Sequence, residues 1–177
     1  MPVEFDPAAS WWIAPVEVTI GGRIYRIPAL PAVDWMTALS EGTWLDIVPA
    51  LLEDTGDELD DALEDGSVTH EDLITAAKDA VEVAAGVKWW TAVRLVQATA
   101  HVAGELALAG LDMTRVSLGA AVQAVYRVYT RHATEAQQRK VDSELTKLPE
   151  GMGAGAAYDE ERAADAFEQM ARMRGVA

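Results

Sequence analysis

The 177-residue chain contains no cysteine. Disulfides, thiolate nucleophiles and cysteine-ligated zinc are therefore outside its chemistry. Histidine is scarce: His70, His101 and His132 lie far apart, and none forms an H-x-x-x-H or H-E-x-x-H pair. His101 reads as a hydrogen-bonded structural residue on the polar side of its helix. No serine stands in G-x-S-x-G, so the nucleophile elbow of the hydrolases is missing. Long apolar runs are missing too, since the most apolar helical stretch is interrupted by Arg94, His101 and Glu105. A membrane span is not expected from such a pattern. The N-terminus lacks the basic-then-apolar order of a secretory signal. These absences predict a soluble cytosolic protein without a cofactor.

Basic residues are few, 14 against 29 acids, and the net charge is −15. The deficit is uneven: residues 41–82 hold fourteen acids and one base, whereas residues 83–148 hold five acids and eight bases. A chain so charged repels nucleic acid and anionic membranes, and neither is expected as a partner. The acids at Asp57, Asp60, Asp61, Glu64 and Asp65 invite a Ca²⁺ or Mg²⁺ site, but their spacing does not match the twelve-residue calcium loop. A solvated acidic face is the favoured reading, and no metal is expected. Gly151, Gly153 and Gly155 follow no strand and lack the lysine and Ser/Thr of a phosphate loop, so they read as a linker. Catalysis is not expected.

Half of the residues are hydrophobic, enough for a real core. Residues 1–14 read as an extended lead-in whose Trp11 and Trp12 pack onto the helical body. In V-E-V-T-I-G-G-R-I-Y-R-I, residues 16–27, Gly-Gly between two alternating runs predicts a hairpin. That turn sets Ile20 opposite Arg23, Val18 opposite Tyr25 and Val16 opposite Ile27, with Glu17 across from Arg26. A helix through Ser40 follows, ended by Gly42. Thr43 caps a second helix that Pro49 kinks or divides. Residues 53–66 read as a short helix with Leu59 and Leu63 on one stripe, or as a mobile loop.

Thr69 and Asp72 resemble a capping box for a helix bearing Leu73, Ile74, Ala77, Val81 and Ala84. The central helix, about residues 88–109, keeps an apolar face at Val93, Val96, Ala100, Ala103 and Ala107, with a second at Leu95, Val102 and Leu106. Gly110 stops it. Ser117 begins a further helix with Leu118, Val122, Val125, Tyr126 and Tyr129 on its stripe. Thr134 and Gln137 open a polar helix to about Leu148. The fold class expected is mainly α, a helical bundle-like domain over residues 1–148 with a small N-terminal β-hairpin. A Gly/Ala linker at 149–157 and a tethered helix at 158–177 complete it.

Three stretches taken together carry a family resemblance. They are V-T-I-G-G-R-I-Y-R-I-P-A-L-P-A-V-D-W at 18–35, W-W-T-A-V-R-L-V at 89–96, and L-A-G-L-D-M-T-R-V-S-L-G-A-A-V-Q-A-V-Y at 108–126. In this order they resemble the tail assembly chaperones of long-tailed, siphovirus-type phages of actinomycetes, over residues 16–148. Gly86-Val87-Lys88 stands where family members usually read G-R-P.

The resemblance implies a non-enzymatic role in the host cytoplasm. The protein would bind the tape-measure protein and keep it soluble while tail-tube subunits polymerise around it, and it would be absent from the finished virion. It also implies a short form and a frameshifted longer form. Tail-tube subunits and a second copy of the chain are further candidate partners. For partner binding the residues singled out are Val18, Tyr25, Trp35, Trp89 and Trp90, all of them equally suited to a core. The rival readings are a structural virion component, such as a tail-completion or head–tail connector protein, and a small acidic metal-binding protein or enzyme.

Overall fold

The computed structural model describes residues 2–6, 12–41, 43–52 and 58–148. Residues 1–146 make one compact unit and 147–177 a second. The expected linker at 149–157 and helix at 158–177 lie outside the described residues. The first unit is mainly α, with one antiparallel hairpin and seven helices among the described residues.

The hairpin pairs β1 (Val16–Ile20) with β2 (Arg23–Ile27) in the register that the Gly-Gly turn predicts, Val18 opposite Tyr25 and Glu17 opposite Arg26. Gly21 and Gly22 have φ of 55° and 79°, as a primed two-residue turn requires. At Gly21 there is also no room for a side chain, because a Cβ would stand 2.7 Å from Val68 Cγ2. Val16, Val18, Ile20 and Ile27 are buried, which answers how an isolated hairpin survives in water: its apolar side is covered. β1 lies on helix α4, whereas Ile24 of β2 points to solvent at 72% exposure.

Helix α1 (Ala32–Glu41) begins where Pro31 ends the extended segment. Its Ala32 and Val33 N–H groups donate to the carbonyls of Val116 and Met113, 2.8 and 3.1 Å away, so a distant loop caps it. Helix α2 (Trp44–Leu51) starts at Thr43, whose N–H and hydroxyl both donate to the Asp46 carboxylate. Pro49 does not divide α2. It sits in the last turn, where only one intrahelical hydrogen bond is lost before the helix ends. Helix α3 (Glu58–Glu64) gives the acidic stretch a helix over its described part, anchored by buried Leu59 and Ala62.

Helix α4 (His70–Ala85) carries the expected capping box. Thr69 N–H donates to the Asp72 carboxylate at 2.8 Å and Asp72 N–H to Thr69 Oγ1 at 3.2 Å. Helix α5 (Trp89–Leu108) follows, then α6 (Leu118–Thr130), whose first turn is capped by Ser117 Oγ accepting from Ala120 N–H. Helix α7 (Glu135–Thr146) opens with the Thr134–Gln137 box. It ends at Thr146 rather than Leu148.

One expectation for α5 needs correction. Its buried side is Thr91, Ala92, Leu95, Val96, Val102 and Leu106, while Ala100, Ala103 and Ala107 are exposed. The larger side chains win the contact with the rest of the fold because each removes more apolar area from water. Helix α4 meets β1, α2, α5 and α6, and α5 likewise meets four elements, α1, α4, α6 and α7. Seven side chains of α4 and six of α5 are buried, so the two helices share the centre of the core. Gly110, at φ 74°, does stop α5. Leu111 N–H reaches back to the Leu106 carbonyl and Gly110 N–H to that of Ala107, the paired bonds of a Schellman ending.

Candidate functional site

The α4–α5 corner gathers most of the molecule's unusual chemistry. Lys88 enters α5 without a side-chain cap. Glu82, one turn from the end of α4, takes over that task. Its carboxylate accepts from Trp89 N–H at 3.3 Å and from Lys88 Nζ at 2.8 Å. A negative charge at a helix N-terminus is favourable, so the two helices are joined electrostatically as well as by packing.

Trp89 stands at the centre of an aromatic row. Its ring meets Trp44 edge-on with centroids 4.9 Å apart and Trp90 at 5.6 Å. Lys78 Nζ lies 5.1 Å from the Trp89 centroid, a cation–π distance. Burial pushes the Lys78 ammonium below its usual range, and the nearby Glu71 charge opposes that shift.

Trp90 faces different surroundings. It lines an open groove of about 780 Å³ together with Val3, Phe5, Val87 and Thr146, and with the acids Glu4, Asp6 and Glu82. One wall is residues 2–6, held by Asp6 N–H donating to the Gly86 carbonyl at 2.8 Å and by Phe5 against the Tyr126 ring, centroids 5.4 Å apart. Trp90 Nε1–H is buried and has no acceptor among the described residues. An unsatisfied buried donor of this kind costs about 1–3 kcal/mol.

The far wall of the corner is tied to α7 through polar groups. Thr91 Oγ1 donates to the Leu145 carbonyl at 2.9 Å, and Arg94 Nη1 donates to the carbonyls of Glu144 and Leu145 at 2.7 and 3.1 Å. Burial lowers the Arg94 pKa, against the opposing charge of Glu144. On the other side of α7, buried Asp142 accepts from the Tyr126 hydroxyl at 2.8 Å.

Of the five residues singled out by sequence, the structure brings together Trp89 and Trp90. Val18 and Trp35 are core, 4% and 2% exposed. Trp35 is not part of the aromatic row, whose third ring is Trp44. Tyr25 is half-buried opposite Val18, and its hydroxyl is buried without a partner among the described residues. The groove's N-terminal wall went unread: Val3 and Phe5 alternate with Glu4 and Asp6, but five residues are too few to stand out as a strand or a site.

Two other expectations change. Trp12 is 80% exposed rather than buried, and Trp11 lies outside the described residues. His101 is exposed and makes no hydrogen bond among the described residues, since its position falls on the uncovered side of α5. Asp60, Asp61, Glu64 and Asp65 all face solvent. Among the described residues no group of three or more His, Asp or Glu side chains is placed to hold a metal ion, and no helix is long and apolar enough to cross a membrane.

Comparison of the chain with models of known families, with curated proteins and with solved structures gives no match.

Proposed function

We propose that this protein is a tail assembly chaperone that binds the tape-measure protein and keeps it soluble in the host cytoplasm while the tail tube forms. The observation that carries the reading is Trp90. It belongs to the tryptophan pair that anchors the resemblance, and it lines an open groove instead of closing the core. A long helical partner with apolar faces aggregates unless those faces are covered, and an apolar groove on a helical body is a cover of suitable kind. The charge of −15 keeps a loaded complex dispersed. Nothing in the site calls for a catalytic step.

Co-expression with the tape-measure protein encoded downstream tests this directly. The expected result is a soluble complex that elutes together in size-exclusion chromatography, with this chain missing from purified particles by mass spectrometry. Unchanged solubility of the partner, with no complex, rejects the chaperone role. Stoichiometric presence in the particle replaces it with a structural one.

A further inference from the structure

The hairpin leaves one edge open. Ile20 and Arg23, beside the two-residue turn, form a hydrogen-bonded pair, and such pairs alternate along an antiparallel ladder. Val18–Tyr25 and Val16–Ile27 are the other bonded pairs, so Ile24 and Arg26 turn their N–H and C=O groups away from β1. Neither backbone makes a further hydrogen bond among the described residues, and both residues are exposed. The unbroken register holds no bulge, no proline stands in 23–27, and β1 is the element that β2 packs along. An edge without such protection is a template for another strand.

Two properties of the edge fit a second copy of itself. Its free groups are self-complementary: a two-fold axis at Tyr25 sets Ile24 opposite Arg26 of the second copy, and Arg26 opposite its Ile24. Each pair exchanges both N–H···O bonds, so every outward group of the two residues is used. Sliding the strands by two residues would set Arg26 against Arg26, or against the turn glycine Gly22. The edge is also where two chains of charge −15 repel each other least. Residues 18–33 hold no acid, and each arginine is balanced within its own copy. Glu17 lies across from Arg26, and Asp65 is within electrostatic reach of Arg23.

We infer that β2 pairs antiparallel with β2 of a second copy, joining two hairpins into one sheet. Ile24 then lies beside the aliphatic stem of Arg26 of the second copy, and Tyr25 faces Tyr25 across the axis. Such a dimer does not depend on the chaperone reading, so its absence leaves the co-expression result standing, and the reverse holds too.

Sedimentation equilibrium of the full chain, at about 0.05 and 0.5 M salt, tests the pairing. A dimer is expected that tightens as salt screens the net charge. Amide hydrogen exchange at Ile24 and Arg26 should slow as the dimer fills, because both N–H groups face water in the monomer. Ile24→Lys sets like charges opposite each other at two symmetric places and should weaken the dimer at least about ten-fold. Thr19→Lys makes the same charge change on β1, away from the edge, and should weaken it less than about two-fold. Both positions are exposed, so both variants keep the fold. A monomer at every concentration up to about 1 mM overturns the inference. So does a dimer in which the two amides exchange no slower, or one that both substitutions weaken equally. Slow exchange at Ile24 and Arg26 that appears only with added tape-measure protein would assign the edge to that partner instead.

Discussion

Helices α4 and α7 are attached to the same fold by opposite means. α4 buries Leu73, Ile74, Val81 and four alanines among β1, α2, α5 and α6. Each large side chain fully buried contributes about 1.5–3 kcal/mol. α7 has one fully buried side chain, the acid Asp142, with Leu145 partly covered. Thr91 and Arg94 of α5 hold its last carbonyls, and Tyr126 of α6 holds Asp142. A net protein hydrogen bond contributes about 0.5–1.5 kcal/mol. The difference predicts a stable centre and a more readily released flank. It also places the weaker attachment beside the groove, since Thr146 of α7 lines it.

The largest effect belongs to α4. Ile74→Ala should lower unfolding free energy by about 2–5 kcal/mol in urea titrations, as for other well-packed core truncations. A loss below about 1 kcal/mol would mean that the centre is loosely packed and the contrast with α7 is false.

Next comes the buried acid. Asp142→Ala should cost about 1.5–3 kcal/mol, because the Tyr126 hydroxyl loses a charged acceptor. Adding Tyr126→Phe should cost less than the sum of the single changes. The pair also sets an alkaline limit. Burial raises the Tyr126 pKa first, the Asp142 hydrogen bond and charge raise it further, and Gln138 opposes them. A raised value means that the folded state holds the phenolic proton more tightly. The stabilisation is complete below the ordinary tyrosine value near 10 and is lost as pH rises through the folded value. Tyr126→Phe should flatten the stability curve above that point; an unchanged alkaline slope would remove Tyr126 as its source.

The smallest effect sharpens the comparison most. Arg94→Met keeps the aliphatic stem and removes the donors to Glu144 and Leu145, at a cost of about 1 kcal/mol. Hydrogen exchange should then speed up along α7 while α4 stays protected. Equal acceleration in both helices would show that they open as one unit.

The sequence was legible wherever a rule acts over a few residues. Gly21–Gly22 and the alternation around them set the hairpin register, and Thr69–Asp72 and Thr134–Gln137 marked helix starts that the structure keeps. The tertiary choices were less legible. On α5, Ala100, Ala103 and Ala107 repeat at the same spacing as Leu95, Val102 and Leu106 allow. Periodicity could not say which side would be covered, because both sides were apolar. Asp142 looked like any other acid on a polar helix, and its burial depends on Tyr126 arriving from α6. The groove was half legible: Trp90 was singled out, but the wall at residues 2–6 became a wall only through Gly86 and Tyr126, which lie far along the chain.

Synthesis imposes its own order on these contacts. The Ala32 and Val33 N–H groups find their acceptors at Val116 and Met113, and Phe5 finds its ring partner at Tyr126. At about 5–20 residues per second, the 84 residues between Ala32 and Val116 take roughly 4–17 s to add. During that interval the hairpin waits for α4, and α1 leaves the ribosome with its first donors bare. The end of the domain completes its beginning, so a nascent chain stopped short of Val116 exposes the apolar surface that the finished protein hides.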